Sequence, residues 1–222
     1  MVTSAGKLDP LQTRVLETLA GLEPPFVLGG GAALSGVYLA HRETRDLDLF
    51  WRQRADLGDL ARDVEGRLTA AGLMVSRLQS SASFVRLRVT DNESVVRVDL
   101  IAEPGDDLEP TVPHRIGAVE ILVDSRHAIL IEKLCALLSR SELRDLIDVE
   151  ALVESGEDLD TAIAAAPRRD SGFSPLTLAW VLRELDVKRL ADAVGADAAT
   201  ARRLDAFRQS LIDRLIAPSP TG

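Results

Sequence analysis

Three consecutive glycines, Gly29-Gly30-Gly31, follow the apolar run Phe26-Val27-Leu28 and lead straight into the apolar stretch 32–40. A strand that runs into glycines and then into a helix is a narrow structural prescription. Pro24 and Pro25 stop the preceding helix, predicted over 10–22, whose Leu11, Val15, Leu16 and Leu19 share one face. The three residues before the glycines predict a short buried strand, and 32–40 a helix opening directly from the turn. Glycine lets a phosphate approach the free N–H groups at such a helix start, and the helix dipole favours its charge. The same pattern also makes a tight turn with nothing bound.

Beyond the polar turn His41-Arg42-Glu43-Thr44, the segment Asp46-Leu47-Asp48-Leu49-Phe50-Trp51 alternates polar and apolar residues, as a half-buried strand does. A helix over 56–71 ends at Gly72. Further strands are predicted at 73–78, 84–89, 95–101 and 119–123, with Asp91-Asn92-Glu93 as a hairpin turn and 103–107 as a loop. After residue 124 nearly everything has helical periodicity, which predicts helices over 125–139, 141–154, 159–165, 175–184 and 197–216 and a frayed Pro/Ser-rich tail. The expectation is an α/β (α+β) chain: a mixed sheet flanked by helices in 1–123, then a helical domain in 124–222.

Composition removes several functional classes. The 222 residues carry 26 Lys and Arg against 35 Asp and Glu, a net charge of −9, which disfavours extended, sequence-blind binding of DNA or RNA. A local basic site for one triphosphate or one RNA end needs only a few cations and survives this test. Aromatic residues at 4% argue against a base-stacking platform. No apolar run approaches the roughly 20 residues that span a bilayer, and the start lacks the features of a secretory signal. The single Cys135 allows no internal disulfide, so a cytoplasmic location is expected.

Two carboxylates give the glycine turn chemical meaning. Asp46 and Asp48, two apart on one strand, share a face, while Leu47 and Leu49 point the other way. Adjacent carboxylates repel unless solvated or shared by a cation, and Mg²⁺ uses one or two carboxylates together with substrate phosphates. An ordinary solvent-exposed strand face is the alternative. Asp99 is the lone acid in Val95-Val96-Arg97-Val98-Asp99-Leu100-Ile101. If its strand lies beside the first, three carboxylates converge where two cations could serve an in-line displacement at phosphorus. Otherwise Asp99 pairs with Arg97 or Arg86 as a structural contact.

The block Phe26-Val27-Leu28-Gly29-Gly30-Gly31-Ala32-Ala33-Leu34, with His41-Arg42-Glu43-Thr44-Arg45-Asp46-Leu47-Asp48-Leu49-Phe50, resembles the signature of the AbiEii/AbiGii toxin family. That family lies within the DNA polymerase beta-like nucleotidyltransferases. A second match, Ile131-Glu132-Lys133-Leu134-Cys135-Ala136-Leu137-Leu138-Ser139-Arg140 followed by Arg144-Asp145-Leu146-Ile147-Asp148, resembles the family's lysine helix and its Arg-Asp-x-x-Asp helix. The correspondence covers roughly residues 26 to 152. The resemblance implies a polymerase-beta-like mixed sheet and metal-dependent transfer of a nucleoside monophosphate from an NTP. Members include toxins of type IV toxin–antitoxin systems, and mycobacterial relatives modify the acceptor end of tRNA. Carried over by residue, Asp46, Asp48 and, less closely matched, Asp99 hold Mg²⁺ or Mn²⁺. Gly30 and Gly31 cradle the triphosphate and Thr44 offers it a hydroxyl; apart from the resemblance, Arg42 in the turn before the strand is a candidate phosphate contact. Lys133 contacts a phosphate, and Asp145, or else Asp148, is the acid of the second helix. An RNA 3′ end, plausibly of tRNA, is the implied acceptor, and a cognate antitoxin the implied partner.

The residues alone leave other roles open. Lys133 lies in an apolar stripe and reads equally as a snorkelling lysine, and Asp145 as an acid favourable to a helix start. His41 fits a phosphate contact or a turn-shaping role. His114 and His127 have no partner at catalytic spacing, and Cys135 reads as a small core residue. Arg168-Arg169 and Arg202-Arg203 suit an exposed solvated face better than an RNA grip. Two rivals stand beside RNA modification: transfer to an aminoglycoside or a protein side chain, and a catalytically degenerate binding module. The joint presence of Gly30, Asp46, Asp48, Asp99 and Lys133 speaks against the last.

Overall fold

The structure, a computed structural model, describes residues 8–105 and 109–217. The end of the 103–107 loop and most of the Pro/Ser-rich tail lie outside the described residues. The chain divides into two units, one up to Ser125 and one from Arg126 onwards.

The first unit opens with α1 (Pro10–Leu19), set by local chemistry. The Asp9 side chain caps the Gln12 N–H at 2.7 Å, the Gln12 side chain returns the bond to the Asp9 N–H, and Pro10 occupies the first helical position. Seven strands follow: β1 (Val27–Gly29), β2 (Asp46–Arg52), β3 (Met74–Ser80), β4 (Phe84–Thr90), β5 (Val95–Glu103), β6 (Thr111–Ile116) and β7 (Val119–Asp124). They form one mixed sheet in the order β3-β4-β5-β2-β1-β7-β6. β2 runs parallel to β5 and β1 parallel to β7; the other pairs are antiparallel. The mixed α/β architecture read from the sequence is the one observed.

Register sorts the side chains. Leu47, Val98 and Leu87 align across three strands, as do Leu49, Leu100 and Val85, and all are at most 2% exposed. Helix α1 and helix α2 (Leu60–Ala70) pack over this apolar face. The opposite face carries the charged residues of β2, β4 and β5.

Some expected boundaries shift for identifiable reasons. Helix α2 begins at Leu60 rather than at 56, because Gly58 takes a left-handed φ of 51° that no helix continues through. Strand β6 was not expected from the sequence; Pro113 and His114 interrupt its apolar pattern, and a sheet edge is where a strand tolerates proline.

The second unit is helical: α3 (Arg126–Arg140), α4 (Leu143–Glu154), α5 (Leu159–Arg169), α6 (Pro175–Glu184), α7 (Val187–Ala193) and α8 (Ala198–Ile216). Ile129, Leu134, Leu146, Val149, Leu178, Leu182 and Leu204 are fully buried in its core. The short α7 also escaped the sequence reading. No helix among the described residues is long and apolar enough to cross a membrane.

Candidate active site

Each of the three glycines closes onto a functional-looking side chain. Gly30 has φ +61°, and a Cβ there would lie 2.1 Å from Oδ2 of Asp48. A Cβ on Gly31 would lie 2.8 Å from the Arg42 guanidinium and 3.5 Å from Oγ1 of Thr44. A Cβ on Gly29 would meet Asp124 and the Phe50 ring at 2.6 Å. Only glycines let the strand end come this close to so many polar groups. Thr44 is anchored in turn: its carbonyl accepts from Nε2 of the fully buried Gln12 at 3.0 Å.

The helix that leaves the glycines is wider than expected. Ala32–Leu39 is a π-helix, closed by a bond from the Ala40 N–H to the Ser35 carbonyl at 3.1 Å, with Ala40 itself left-handed at φ 50°. Such five-residue windings concentrate at functional sites. Behind the turn, Asp124 is 1% exposed and meets Arg52 at 2.7 Å, while its carbonyl accepts from the Tyr38 hydroxyl at 2.9 Å. Sequence reasoning missed this Arg52–Asp124–Tyr38 brace; two opposite charges at strand ends 72 residues apart leave no local signal. His41 Nδ1 lies 3.4 Å from Ser35 Oγ, and the His114 ring meets Tyr38 edge-on at 4.9 Å. Burial pushes the His114 pKa down.

The expected neighbourhood of Asp46, Asp48 and Asp99 exists in the sheet. Asp48 and Asp99 are direct cross-strand partners, and Asp46 pairs with Arg97. Their side chains, however, are divided among arginines. Arg86 donates to both oxygens of Asp99 at 2.8 and 2.7 Å, and Arg97 donates to Asp46. Among the described residues, no three His, Cys, Asp or Glu side chains are grouped to hold an ion. Asp48 lies against the glycine turn, whereas Asp46 is held by Arg97 and Asp99, 7% exposed, by Arg86.

In the helical unit, Lys133 and the Arg-Asp-x-x-Asp helix form one buried cluster. Nζ of Lys133 lies 3.0 Å from Asp145 and 2.7 Å from Asp148, both carboxylates being 0% exposed. Arg140 adds two bonds to Asp145 at 2.7 and 2.8 Å. The lysine head is therefore paired inside the fold, not snorkelled to water, and Asp145 serves the cluster instead of merely decorating a helix start. Burial alone would raise the Asp145 pKa; the Arg140 hydrogen bonds and the Lys133 charge outweigh it and hold the carboxyl below its ordinary range. Both acids contact Lys133.

Residues given lesser roles are placed as follows. Burial, with the nearby Asp170 charge, pushes the Cys135 thiol up to about 11, as suits an inert core residue. His127 approaches Glu157 at 4.0 Å, Arg169 pairs with Glu132 at 3.2 Å, and Arg203 pairs with Glu150. The second arginine of each basic pair thus has an intramolecular partner.

Residues 14–218 match the family described as the nucleotidyl transferase AbiEii toxin of a type IV toxin–antitoxin system. The chain belongs to that family. It is a nucleotidyltransferase of the toxin type, for which an NTP is the donor and an antitoxin the counterpart. Among solved structures it is similar to the nucleotidyltransferase toxin MenT4 of Mycobacterium tuberculosis, with a TM-score of 0.58, 16% identity, and 93% of this chain and 91% of that one covered. It is also similar to JHP933 of Helicobacter pylori, with a TM-score of 0.51, 22% identity, and 92% and 90% covered. At these identities the likeness establishes the fold. No curated protein gives a significant match.

Proposed function

We propose that this nucleotidyltransferase transfers a nucleoside monophosphate to the 3′ hydroxyl of an RNA, plausibly tRNA, in a metal-dependent reaction centred on Asp46 and Asp48. One observation carries the reading: a carboxylate oxygen of Asp48 lies against the left-handed Gly30 turn, with Asp46 on the same strand face. An acid beside backbone of the kind that suits a triphosphate, with a second acid on its strand face, supports the reading.

The donor set suits Mg²⁺ or Mn²⁺, because hard cations take carboxylate oxygens and complete their shell with phosphate and water. Asp46 and Asp48 would hold the ion, and Asp99 would join them as the third carboxylate on release from Arg86. Bound there, the metal would supply charge neutralisation at the phosphates and acidify the attacking hydroxyl.

The chain's own groups do the rest. Gly30 and Gly31 admit the triphosphate, and the Arg42 guanidinium and Thr44 hydroxyl beside Gly31 orient it. Within the helical unit, Lys133 pairs with both Asp145 and Asp148 and keeps that cluster together. In the transfer, the acceptor oxygen forms a bond to the α-phosphorus, the bond from that phosphorus to the bridging oxygen breaks, and pyrophosphate leaves. The hydroxyl proton passes to solvent or to a carboxylate of the site. Asp48→Ala is expected to abolish label transfer from radioactive NTP onto total RNA while the thermal unfolding midpoint stays near that of the parent. Undiminished transfer by the variant would remove the mechanism.

A further inference from the structure

The charged face of the sheet has a second population of side chains. Its rows read Arg88, Arg97, Asp46 and Arg86, Asp99, Asp48 across β4, β5 and β2. Arg88 is exposed, and the Arg86 and Arg97 side chains are 33% and 40% exposed. Arg88 stands directly opposite Arg97, and like charges in that position repel. A chain of net charge −9 has no general excess of cations to place there. Such a pair becomes favourable when an anion lies across it. Arg86 uses Nε and Nη2 on Asp99, leaving Nη1 out of that contact and able to donate elsewhere.

The strand order says which anion. β2 lies between β1 and β5, so the glycine turn is on one side of Asp46 and Asp48 and the arginines are on the other. If the donor triphosphate takes the glycine side, the arginine side is left for the acceptor. Arg86 and Arg97 each hold an aspartate, so the exposed Arg88 is the cation of this face with no aspartate opposite it, and an acceptor without negative charge would leave Arg88 and Arg97 opposed.

We propose that the Arg86, Arg88 and Arg97 face binds the sugar-phosphate backbone of the acceptor RNA and leads its 3′ end to Asp46 and Asp48. This rests on the RNA-directed reading above and adds the surface that receives the strand. Arginine is suited to the task because its planar fork meets phosphate oxygens two at a time. The contact is electrostatic, so its strength falls with salt in proportion to the phosphates neutralised.

The test uses the full chain and fluorescein-labelled deacylated tRNA, with anisotropy read over a salt series. Arg88→Ala is expected to weaken binding about threefold and Arg88→Glu about tenfold, and loss of one phosphate contact to reduce the salt slope by about 0.7. Arg88→Lys is expected to restore most of the affinity. NTP binding, followed by calorimetry, is expected to match the parent in all three variants, which also reports that they fold. Parental tRNA affinity and salt slope in Arg88→Glu would overturn this surface while leaving the RNA-directed reading in place. Failure of the unaltered protein to bind tRNA at any salt would overturn both.

Discussion

At the scale of single residues, Gly30 decides whether the site can form. Its φ of +61° disfavours any side chain, and the space a Cβ would occupy is held by a carboxylate oxygen of Asp48 at 2.1 Å. Two costs therefore arise from one methyl group. The left-handed backbone costs about 1–2 kcal/mol for alanine, and the clash displaces the acid on which the proposed chemistry depends. Gly30→Ala is expected to lower the denaturation midpoint modestly but to reduce NTP label transfer far more. Full transfer by a measurably destabilised Gly30→Ala protein would show that the glycine does not set the position of Asp48. These residues were legible because the reason for them is local: a glycine run ending a strand, and acids alternating with leucines. Thr44, next to Gly31, was legible only through the family resemblance, whereas Arg42 was legible as a cation in the turn before the strand.

At the scale of elements, the pairing of α3 with α4 shows what local pattern conceals. Periodicity gives both helices correctly to within two residues, and it places Lys133 in an apolar stripe. What it does not give is that Asp145 and Asp148, on the next helix, turn inward to meet that lysine. A buried carboxylate reads in sequence like an exposed one. The same blindness applies to Asp99: Arg97 is on its own strand and Arg86 on the neighbouring β4, and it is Arg86 that holds it. The unanticipated β6 and α7 have weak apolar patterns and depend on their neighbours for burial. The α3–α4 cluster is expected to behave as a unit. Lys133→Met removes a cation that contacts two buried acids, and removing one partner of a buried pair costs about 3–5 kcal/mol. Combining it with Asp148→Asn removes one of the carboxylates that lost this contact and is expected to recover part of the loss. Urea unfolding of the single and double variants checks this, and simple additivity of the two changes would show that they do not interact.

At the scale of the whole molecule, the excess of acids makes proton binding the main lever on stability. Asp91 is held below its ordinary range by the backbone N–H groups of Glu93 and Ser94, Asp145 by Arg140 and Lys133 against burial, and Asp197 by Thr200. Depressed carboxyls contribute stability above their unfolded pKa of about 3.9 and lose it as pH falls through the lower folded value. Glu150 works in the opposite sense. Burial raises its pKa despite Arg203, so its contribution is present at low pH and is lost as pH rises through that raised value. Asp145 and Glu150 lie on the same helix, α4, and partly offset one another. Because Asp91, Asp145 and Asp197 are depressed, thermal unfolding midpoints are expected to fall on acidification below about pH 4. Asp145→Asn should flatten that fall because the native state no longer needs the carboxylate ionised. Glu150→Gln should remove the offsetting contribution and make the fall steeper. Midpoints measured between neutral and acidic pH on the three proteins decide the matter, and an Asp145→Asn profile parallel to the parent's would mean that the cluster gives no pH-dependent stability.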